Sequence, residues 1–517
     1  MDRQITWVKQ AVGLCLENAG SGELRQKLFQ QQEQLYLEFT DSEKYAVRKI
    51  MQEGFQNKDL IYIFSHFIQN MKAADFGQGL MEAISKETFD PYTGTMLEVQ
   101  VRRMVAGEYA RKRELHKKNV EGFKQALHMH FPYVPAKKRN QNRIVIITEQ
   151  ILSLLHAPTK LVLETAYALQ EKLGYEVLIF ICPCDGSLPK DLWHKPTSMN
   201  TQEKFRNHAM EISYRGAMFQ EFQIDLHPWN LKEYQMMLEI IHAWNPFFVF
   251  GLGVLNPVAD LCGAFTDLAM RAVSTECPVS EAGILVRPMR QAEEMEQEYA
   301  KGLGDGQEQL FIKEKAPVVV GQGQNQYSRS GEGLPEDKFL IAIVGNRLDA
   351  EIDMEFAALM QGIVQKAPGT AFVVIGEVGK MKNYFQGTCM EGHIFYLGYR
   401  RDLVGTYGMV DLYLNPRRMG GGYSSVMALA AAVPVVSLPG CDVAGHVGEE
   451  FLVKDYQEME EMVLRYEAEP EFYKEKQECA KKKMEENTEG KMVQYVQHVV
   501  NGIISLIEGR NQTDDCV

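Results

Sequence analysis

The sequence has little of what would mark a secreted or membrane protein. Its nine cysteines are scattered without a CxxC pair, so we expect reduced, buried thiols in a reducing compartment. No run of about 18 apolar residues occurs, and the opening residues MDRQITWVKQ lack the apolar core of a signal peptide. These features predict a cytoplasmic protein without a transmembrane segment.

Positive charge is also scarce. The chain carries 55 lysines and arginines against 69 aspartates and glutamates, a formal net charge of −14. A nucleic-acid binder usually presents a basic face, so we expect no nucleic-acid partner. No HExxH or DxD pattern presents itself as a metal site, and His128 and His130 have a spacing that a helix cannot use for one ion. We therefore expect neither a metal nor a bound cofactor.

The composition describes a globular chain with several cores. The content of 45% apolar and 24% charged residues is typical of folded proteins. The length of 517 residues is too great for one core and predicts more than one domain. Apolar residues recur at helical spacing in the first quarter, for example at Ile61 and Phe64. The pattern predicts an all-helical N-terminal domain over 1–135.

The pattern then changes to alternating strands and helices. A β-branched strand at 144–147, a helix and a second strand at 175–181 predict a βαβ unit and a parallel sheet. We expect a first Rossmann-like domain over 143–300, a polar, glycine-rich interdomain connection over 301–338, and a second Rossmann-like domain over 339–485. A C-terminal helix over 486–517 is expected to cross back to the first of these domains. The predicted fold class is thus α/β, with two doubly wound domains whose ligands bind in a cleft beyond the carboxyl ends of the strands.

A glycine turn in the second α/β domain is the most informative local motif. The segment DLYLNPRRMGGGYSSVMALA places Gly420, Gly421 and Gly422 between a strand and a helix. Unpaired N–H groups and the positive end of the helix dipole make such a turn a candidate anion site, to which Ser424 and Ser425 would add hydroxyl donors. The alternative is a tight left-handed turn, which would also favour glycine.

Two further strand ends in this domain carry candidate ligand-binding residues. Arg347 follows Gly345 and Asn346 at the end of the first strand, and its planar guanidinium suits a pyrophosphate, although a surface salt bridge would also explain it. The turn at Gly398, Tyr399 and Arg400 could offer backbone groups to a flat base, or it could be an ordinary strand-to-helix turn.

The order of these motifs resembles the nucleotide-binding half of GT-B glycosyltransferases, which transfer a sugar from a nucleotide donor without a metal. The resemblance covers about 144–507. It implies a UDP-sugar donor as co-substrate. The implied donor-binding residues are Gly345, Asn346, Arg347, Tyr399, Arg400, Gly420, Gly421, Gly422, Tyr423, Ser424, Ser425 and His446. Retaining members of the large bacterial sugar-transferase family carry two glutamates around this turn, and Met419 and Met427 stand at the matching positions here.

Other details are similar to O-linked N-acetylglucosamine transferases and bacterial protein glucosyltransferases. The run from Gly422 to Ser425 matches their diphosphate-binding turn, and His156-Ala157-Pro158-Thr159 is similar to their His-Pro-Thr element. A histidine near its ordinary pKa of about 6.5 can accept a hydroxyl proton at physiological pH, so His156 is a candidate base.

Four residues, three in the first α/β domain and one in the second, leave alternatives open. Glu149, just after the first strand, is the competing base, and His156 itself could simply be a loop histidine that begins the following helix. Asn256 could contact the acceptor or start a helix, and His446 in the second domain could reach the phosphates or begin a helix.

The resemblance leads to two functional hypotheses from different classes. The first is a hexosyltransferase that moves a sugar from a UDP-sugar to a protein or glycan acceptor, with its retaining or inverting outcome open. The alternative is a non-catalytic GT-B subunit that binds a partner glycosyltransferase or its protein substrate, for which Met419 and Met427 are the argument.

Overall fold

The computed structural model describes fourteen ranges of the chain: 2–16, 31–32, 34–67, 74–105, 107–152, 156–182, 209–224, 231–253, 255–273, 276–287, 290–312, 316–321, 323–418 and 420–514. Met419 lies outside these ranges. The chain divides into two compact units, the first formed by 1–314 with 496–517 and the second by 315–495. Within the described ranges, no helix is long and apolar enough to cross a membrane.

The first unit begins with helices. Thr40 caps the helix that starts at Asp41 through a capping box with Glu43. The helices are α1 Asp2–Leu16, α2 Asp41–Glu53, α3 Lys58–Phe67, α4 Ala74–Lys86, α5 Pro91–Met104 and α6 Tyr109–Ala126. Val120 and Phe123 on α6 share a buried cluster with Val145 of the following sheet, so this helical part packs directly on the α/β part.

An eight-stranded sheet forms the centre of the first unit, in the order β3-β4-β2-β1-β5-β6-β7-β8. The neighbouring strands are parallel except for the hairpin pair β3 and β4. The strands are β1 Asn140–Thr148, β2 Glu176–Ile181, β3 Ala209–Tyr214, β4 Ala217–Gln223, β5 Pro246–Leu252, β6 Asp267–Arg271, β7 Ile284–Arg287 and β8 Glu308–Phe311. The helices of this part are α7 Ala157–Tyr167, α8 Leu231–Trp244, α9 Pro257–Cys262 and α10 Glu293–Lys301.

A buried ionic triad joins α6 to the α/β part. His116 is fully buried, with Nδ1 2.6 Å from Glu98 Oε1 and Nε2 2.6 Å from Asp260 Oδ2. Burial alone would lower the pKa of His116, but the two carboxylates raise it to about 10. The imidazolium therefore stays charged at neutral pH, which compensates two carboxylates that would otherwise be costly to bury.

The second unit is a five-stranded parallel sheet with helices around it. The strand order is β11-β10-β9-β12-β13. In this doubly wound order, β10 and β11 are added on one side of β9 and β12 and β13 on the other, so the strand order reverses between β9 and β12. The strands are β9 Phe339–Val344, β10 Thr370–Ile375, β11 Ile394–Gly398, β12 Leu412–Leu414 and β13 Val435–Val436. The helices are α11 Leu348–Glu351, α12 Met354–Lys366, α13 Leu403–Tyr407, α14 Gly422–Ala430, α15 Asp442–Val447, α16 Tyr456–Ala468 and α17 Pro470–Met484. The last helix, α18 Glu489–Asp514, begins in this unit and continues into the first, to which 496–517 belong.

The predicted α/β fold class is confirmed, with one difference in detail. Strand β8, at 308–311, extends the first sheet, although its residues lie in the stretch expected to be an interdomain connection. Its residues are all half-buried, which explains why a polar edge strand of this kind resembles a connection. On the last helix, Arg510 pairs with Glu308 and donates to the Gly283 carbonyl of the first unit.

Candidate functional site

The glycine turn of the second unit lies at the carboxyl ends of β9 and β12, where the strand order reverses. Such a switch point is where open α/β sheets bind their ligands. Gly421 occupies the N-cap position of α14 with φ 87°, a left-handed conformation that glycine adopts without strain. A side chain would not fit there, because a Cβ on Gly421 would lie 2.8 Å from Arg418 and 2.9 Å from Asn415.

The beginning of α14 differs from three other helices of the same unit. Asp353, Asp402 and Asp455 cap α12, α13 and α16, each by accepting a backbone N–H of the first turn. Gly421 has no side chain that could do this for α14. The N-cap residue of α14 thus carries no carboxylate of the kind that caps the other three helix starts.

Arg347 lies beside this turn, as the anion-site hypothesis requires. Its Nη2 is 3.2 Å from the position that a Cβ on Gly420 would take. The side chain is 70% exposed and pairs with Glu351, whose Oε1 is 3.0 Å away. Asn346 is exposed next to it. The end of β9 and the glycine turn are therefore brought together by the fold.

Arg418, which the sequence pattern did not indicate, supports the turn from its buried side. Its side chain is 4% exposed and pairs with Glu351 at 2.7 Å. It donates to the Val344 carbonyl at 2.6 Å, to the Tyr413 hydroxyl at 2.8 Å and to Asn415 Oδ1 at 2.9 Å. These bonds join the ends of β9 and β12. The signal in the sequence was the Arg417-Arg418 pair, but nothing local distinguishes the buried arginine from its neighbour.

A small cavity of about 180 Å³ adjoins Arg418 on the side of β13, between residues 416–418 and 438–441. Near it, Asn415 is fully buried and donates to the Ser437 hydroxyl at 3.1 Å. The loop after β12 is thus fixed on both sides by bonds between side chains.

The other predicted donor-site residues of α14 and α15 fall into two groups. His446 lies against the turn, because a Cβ on Gly422 would be 2.9 Å from its ring. The two serine hydroxyls instead bond within the helix, Ser424 to the Gly421 carbonyl at 2.9 Å and Ser425 to the Gly422 carbonyl at 2.7 Å. Ser425 is also fully buried, so in this structure its hydroxyl serves the first turn of the helix. Tyr423 is half-buried in the same turn.

The strand end at β11 is arranged differently for its two side chains. Tyr399 is 47% exposed. Arg400 forms a two-pronged salt bridge with Glu332 and lies over the Tyr327 ring at 5.6 Å. The guanidinium of Arg400 therefore has an internal partner in this structure. The backbone of Gly398 accepts the Gly376 N–H at 2.9 Å.

Met427 is 5% exposed and packs as a core residue of α14. A buried apolar side chain therefore stands where the retaining family has a glutamate. Its counterpart Met419 lies outside the described residues.

In the first unit, the predicted base residues lie at the equivalent switch point, between β1 and β5. Glu149 follows β1, and its Oε1 accepts the Leu255 N–H at 2.9 Å. Its carboxylate lies so close to the next loop that a Cβ on Gly253 would be 2.6 Å from it. Glu149 thus holds the loop after β5 against the end of β1.

His156 occupies the N-cap position of α7 and is half-buried, with Nδ1 2.9 Å from Thr159 Oγ1. Burial lowers the pKa of His156, so the neutral imidazole predominates at neutral pH. Thr159 Oγ1 also accepts the Leu152 N–H at 2.9 Å. If Nδ1 donates its proton to Thr159, Nε2 is left unprotonated and able to accept one.

Asn256 is enclosed by the fold. It is 1% exposed, its Oδ1 accepts the Ala259 N–H at 3.0 Å, and it therefore caps α9. Of the two alternatives for Asn256, the structure provides the helix start, and an acceptor contact stays a prediction.

Comparison with known proteins places this geometry in a fold class. No protein-family model matches the chain, and no curated protein matches it by sequence. Among solved structures, a mutant of the O-GlcNAc transferase from Thermobaculum terrenum is 13% identical with a TM-score of 0.54, and 99% of each chain is covered. Anabaena HepE in complex with UDP and glucose is 11% identical with a TM-score of 0.48, over 70% of this chain and 99% of that chain. The α,α-trehalose 6-phosphate synthase of Burkholderia multivorans is 12% identical with a TM-score of 0.46, over 72% and 99%.

The chain therefore has the GT-B glycosyltransferase fold that its motif order predicts. The end-to-end match to the T. terrenum protein and the two doubly wound sheets carry this conclusion. At 13% identity, the likeness establishes the fold and leaves the activity to be argued from the site.

Proposed function

We propose that the protein is a metal-independent glycosyltransferase that moves a sugar from a UDP-sugar to a protein or glycan acceptor. The observation that carries the proposal is the start of α14, where an uncapped left-handed turn at Gly421 has Arg347 beside it. A helix N-terminus with an adjacent guanidinium suits the diphosphate of a sugar nucleotide. The matched HepE structure holds UDP and glucose, and a matched E. coli trehalose-6-phosphate structure holds UDP-2-fluoroglucose.

In the proposed reaction, the second unit binds the donor and the first supplies the base. An acceptor hydroxyl attacks the anomeric carbon, the bond from that carbon to the diphosphate breaks, and the hydroxyl proton passes to Nε2 of His156. The negative charge that develops on the leaving diphosphate is stabilised by Arg347 and the N–H groups of the glycine turn. Glu149 remains the alternative base. The scattered cysteines favour a cytoplasmic location.

The second candidate function is a non-catalytic GT-B subunit that supports a partner glycosyltransferase or binds its substrate. The specific observation in its favour is Met427, which is buried where a catalytic relative would place a carboxylate. Such a subunit could retain the nucleotide site without turning over the donor.

The test is a UDP-release assay with purified full-length protein and a panel of UDP-sugars in EDTA, with and without glycan and protein acceptors. The proposal expects UDP release that an acceptor stimulates. UDP binding without release would favour the non-catalytic subunit, and absence of both binding and release would contradict the donor site itself.

A further inference from the structure

One carboxylate lies between two arginines beneath the glycine turn. Glu351 Oε1 is 3.0 Å from Arg347, and Oε2 is 2.7 Å from Arg418. The three side chains differ sharply in exposure, at 70% for Arg347, 12% for Glu351 and 4% for Arg418. One arginine is therefore in solvent and the other is enclosed.

The inner pair is permanent. Arg418 uses its Nε and both terminal nitrogens in bonds to Glu351, Asn415, Tyr413 and the Val344 carbonyl. A buried guanidinium deprived of its carboxylate would have no water to replace it. Arg418 and Glu351 are therefore expected to stay together whatever binds above them.

The outer pair is exchangeable. Arg347 and Glu351 are four residues apart. Ion pairs at this spacing on a helix surface shift the equilibrium between the paired and unpaired states by only about twofold. Arg347 Nη2 already lies 3.2 Å from the position of a Cβ on Gly420, so a change of partner requires a side-chain movement alone.

We propose that Glu351 acts as an internal stand-in for the phosphate: it holds Arg347 beside the turn in the free protein and yields it to the diphosphate when the donor binds. Arg418 compensates Glu351 after the exchange, so that no buried carboxylate is left unpaired. Glu351 is thus a positioning residue that competes with the ligand for Arg347. This inference rests on the proposed function, since it assumes that a diphosphate binds at the turn.

Because Glu351 competes with the ligand for Arg347, one substitution at this position is expected to strengthen UDP binding rather than weaken it. Glu351→Gln removes the competing charge while it keeps a hydrogen-bonding side chain for Arg418, so UDP should bind about twofold to fivefold more tightly. Glu355→Gln is the matched control. It makes the same charge change four residues away, where Glu355 is 64% exposed and lies 4.0 Å from Arg417, and it should leave the affinity unchanged.

The measurement is UDP titration by calorimetry in EDTA, with the folded state of each variant checked by circular dichroism. The gain from Glu351→Gln should disappear in an Arg347→Ala background, because the competed residue is then absent. If E351Q does not fold, E351D is used in its place. It keeps the charge that pairs with Arg418 but is one methylene too short to bridge both arginines, so it should also tighten UDP binding.

A folded E351Q, or in its place E351D, that binds UDP no tighter than the wild type overturns the inference and leaves the proposed function standing. A gain that persists without Arg347 overturns it too. Failure of the wild type to bind UDP overturns the inference together with the donor site.

Discussion

The two sheets have equivalent switch points with opposite electrostatic organisation. In the first unit, the loops after β1 and β5 are held by the carboxylate of Glu149, and the neighbouring His156 is neutral at neutral pH. In the second unit, the loops after β9 and β12 are held by the guanidinium of Arg418. The same topology thus presents hydrogen-bond and proton acceptors at the switch point of the first unit and a cationic side chain at that of the second. The difference suits the separate tasks that we propose for the two units, which are accepting a proton and binding a diphosphate.

The largest expected effect concerns the first unit. His156→Asn should lower the rate of sugar transfer by about 10²-fold to 10⁴-fold, the usual contribution of a general base. UDP affinity should not change, because His156 belongs to the unit that is not proposed to bind the donor. His130→Asn, at an exposed position, should change neither quantity.

The pH profile sharpens the same prediction. Since burial lowers the pKa of His156, the wild-type rate should be level at neutral pH and should fall, as the imidazole is protonated, only at a pH below the ordinary histidine pKa of about 6.5. The variant should lose this acidic limb. If His156→Asn retains full rate and Glu149→Gln does not, the base is Glu149.

The next effect concerns Arg418. Arg418→Met should reduce the free energy of unfolding by about 3–5 kcal/mol, because it removes the buried guanidinium that pairs with Glu351 and donates to three other groups. Arg417→Met is the control, since the neighbouring side chain is 62% exposed and should cost less than about 1 kcal/mol. Urea unfolding measures both. Equal costs would mean that Arg418 does not organise the turn.

Two glycines with similar backbone conformations allow the cost of backbone strain to be measured separately from the cost of steric crowding. Gly421 and Gly440 have φ of 87° and 79°, but only at Gly421 would a Cβ meet other atoms within 4 Å. Gly440→Ala should cost about 1–2 kcal/mol for the left-handed conformation. Gly421→Ala should cost about 1–3 kcal/mol more for overpacking, and it should also weaken UDP binding. Urea unfolding should therefore give a clear difference, and equal costs would contradict the close packing around the turn.

A smaller effect, on binding alone, is expected at Arg347. Arg347→Ala should weaken UDP binding by about tenfold or more, as the loss of a hydrogen bond from a charged group implies. The free energy of unfolding should change by less than about 0.5 kcal/mol, because the side chain is exposed. Arg401→Ala, at another exposed arginine, is the control for net charge. Undiminished UDP affinity in Arg347→Ala would show that the diphosphate is not bound here.

The sequence was sufficient for the features that depend on local pattern. The order of strands and helices predicts the two doubly wound sheets, and the position of Gly345–Arg347 after a strand places Arg347 at the same edge as the glycine turn. Arg418 could not be assigned in this way, because its partner Val344 is 74 positions away in the chain. Which of two adjacent arginines is buried depends on that contact and not on local pattern.

The first sheet shows the same limit. The hairpin of β3 and β4 turns at Arg215 and Gly216, both with positive φ, and the Arg-Gly pair is a weak turn signal compared with Asn-Gly. The local sequence pattern therefore does not reveal this hairpin. Likewise, the serine hydroxyls of α14 resemble anion donors in the sequence, but the first turn of the helix provides nearer carbonyl acceptors for them.

The proposed function depends above all on the binding of a sugar nucleotide's diphosphate at the start of α14. Hydrogen–deuterium exchange with and without UDP tests it directly on the wild-type protein. We expect UDP to slow exchange in peptides that cover Gly420–Ser425 and Gly345–Arg347. UDP binding that leaves both segments unprotected and slows exchange elsewhere would contradict it.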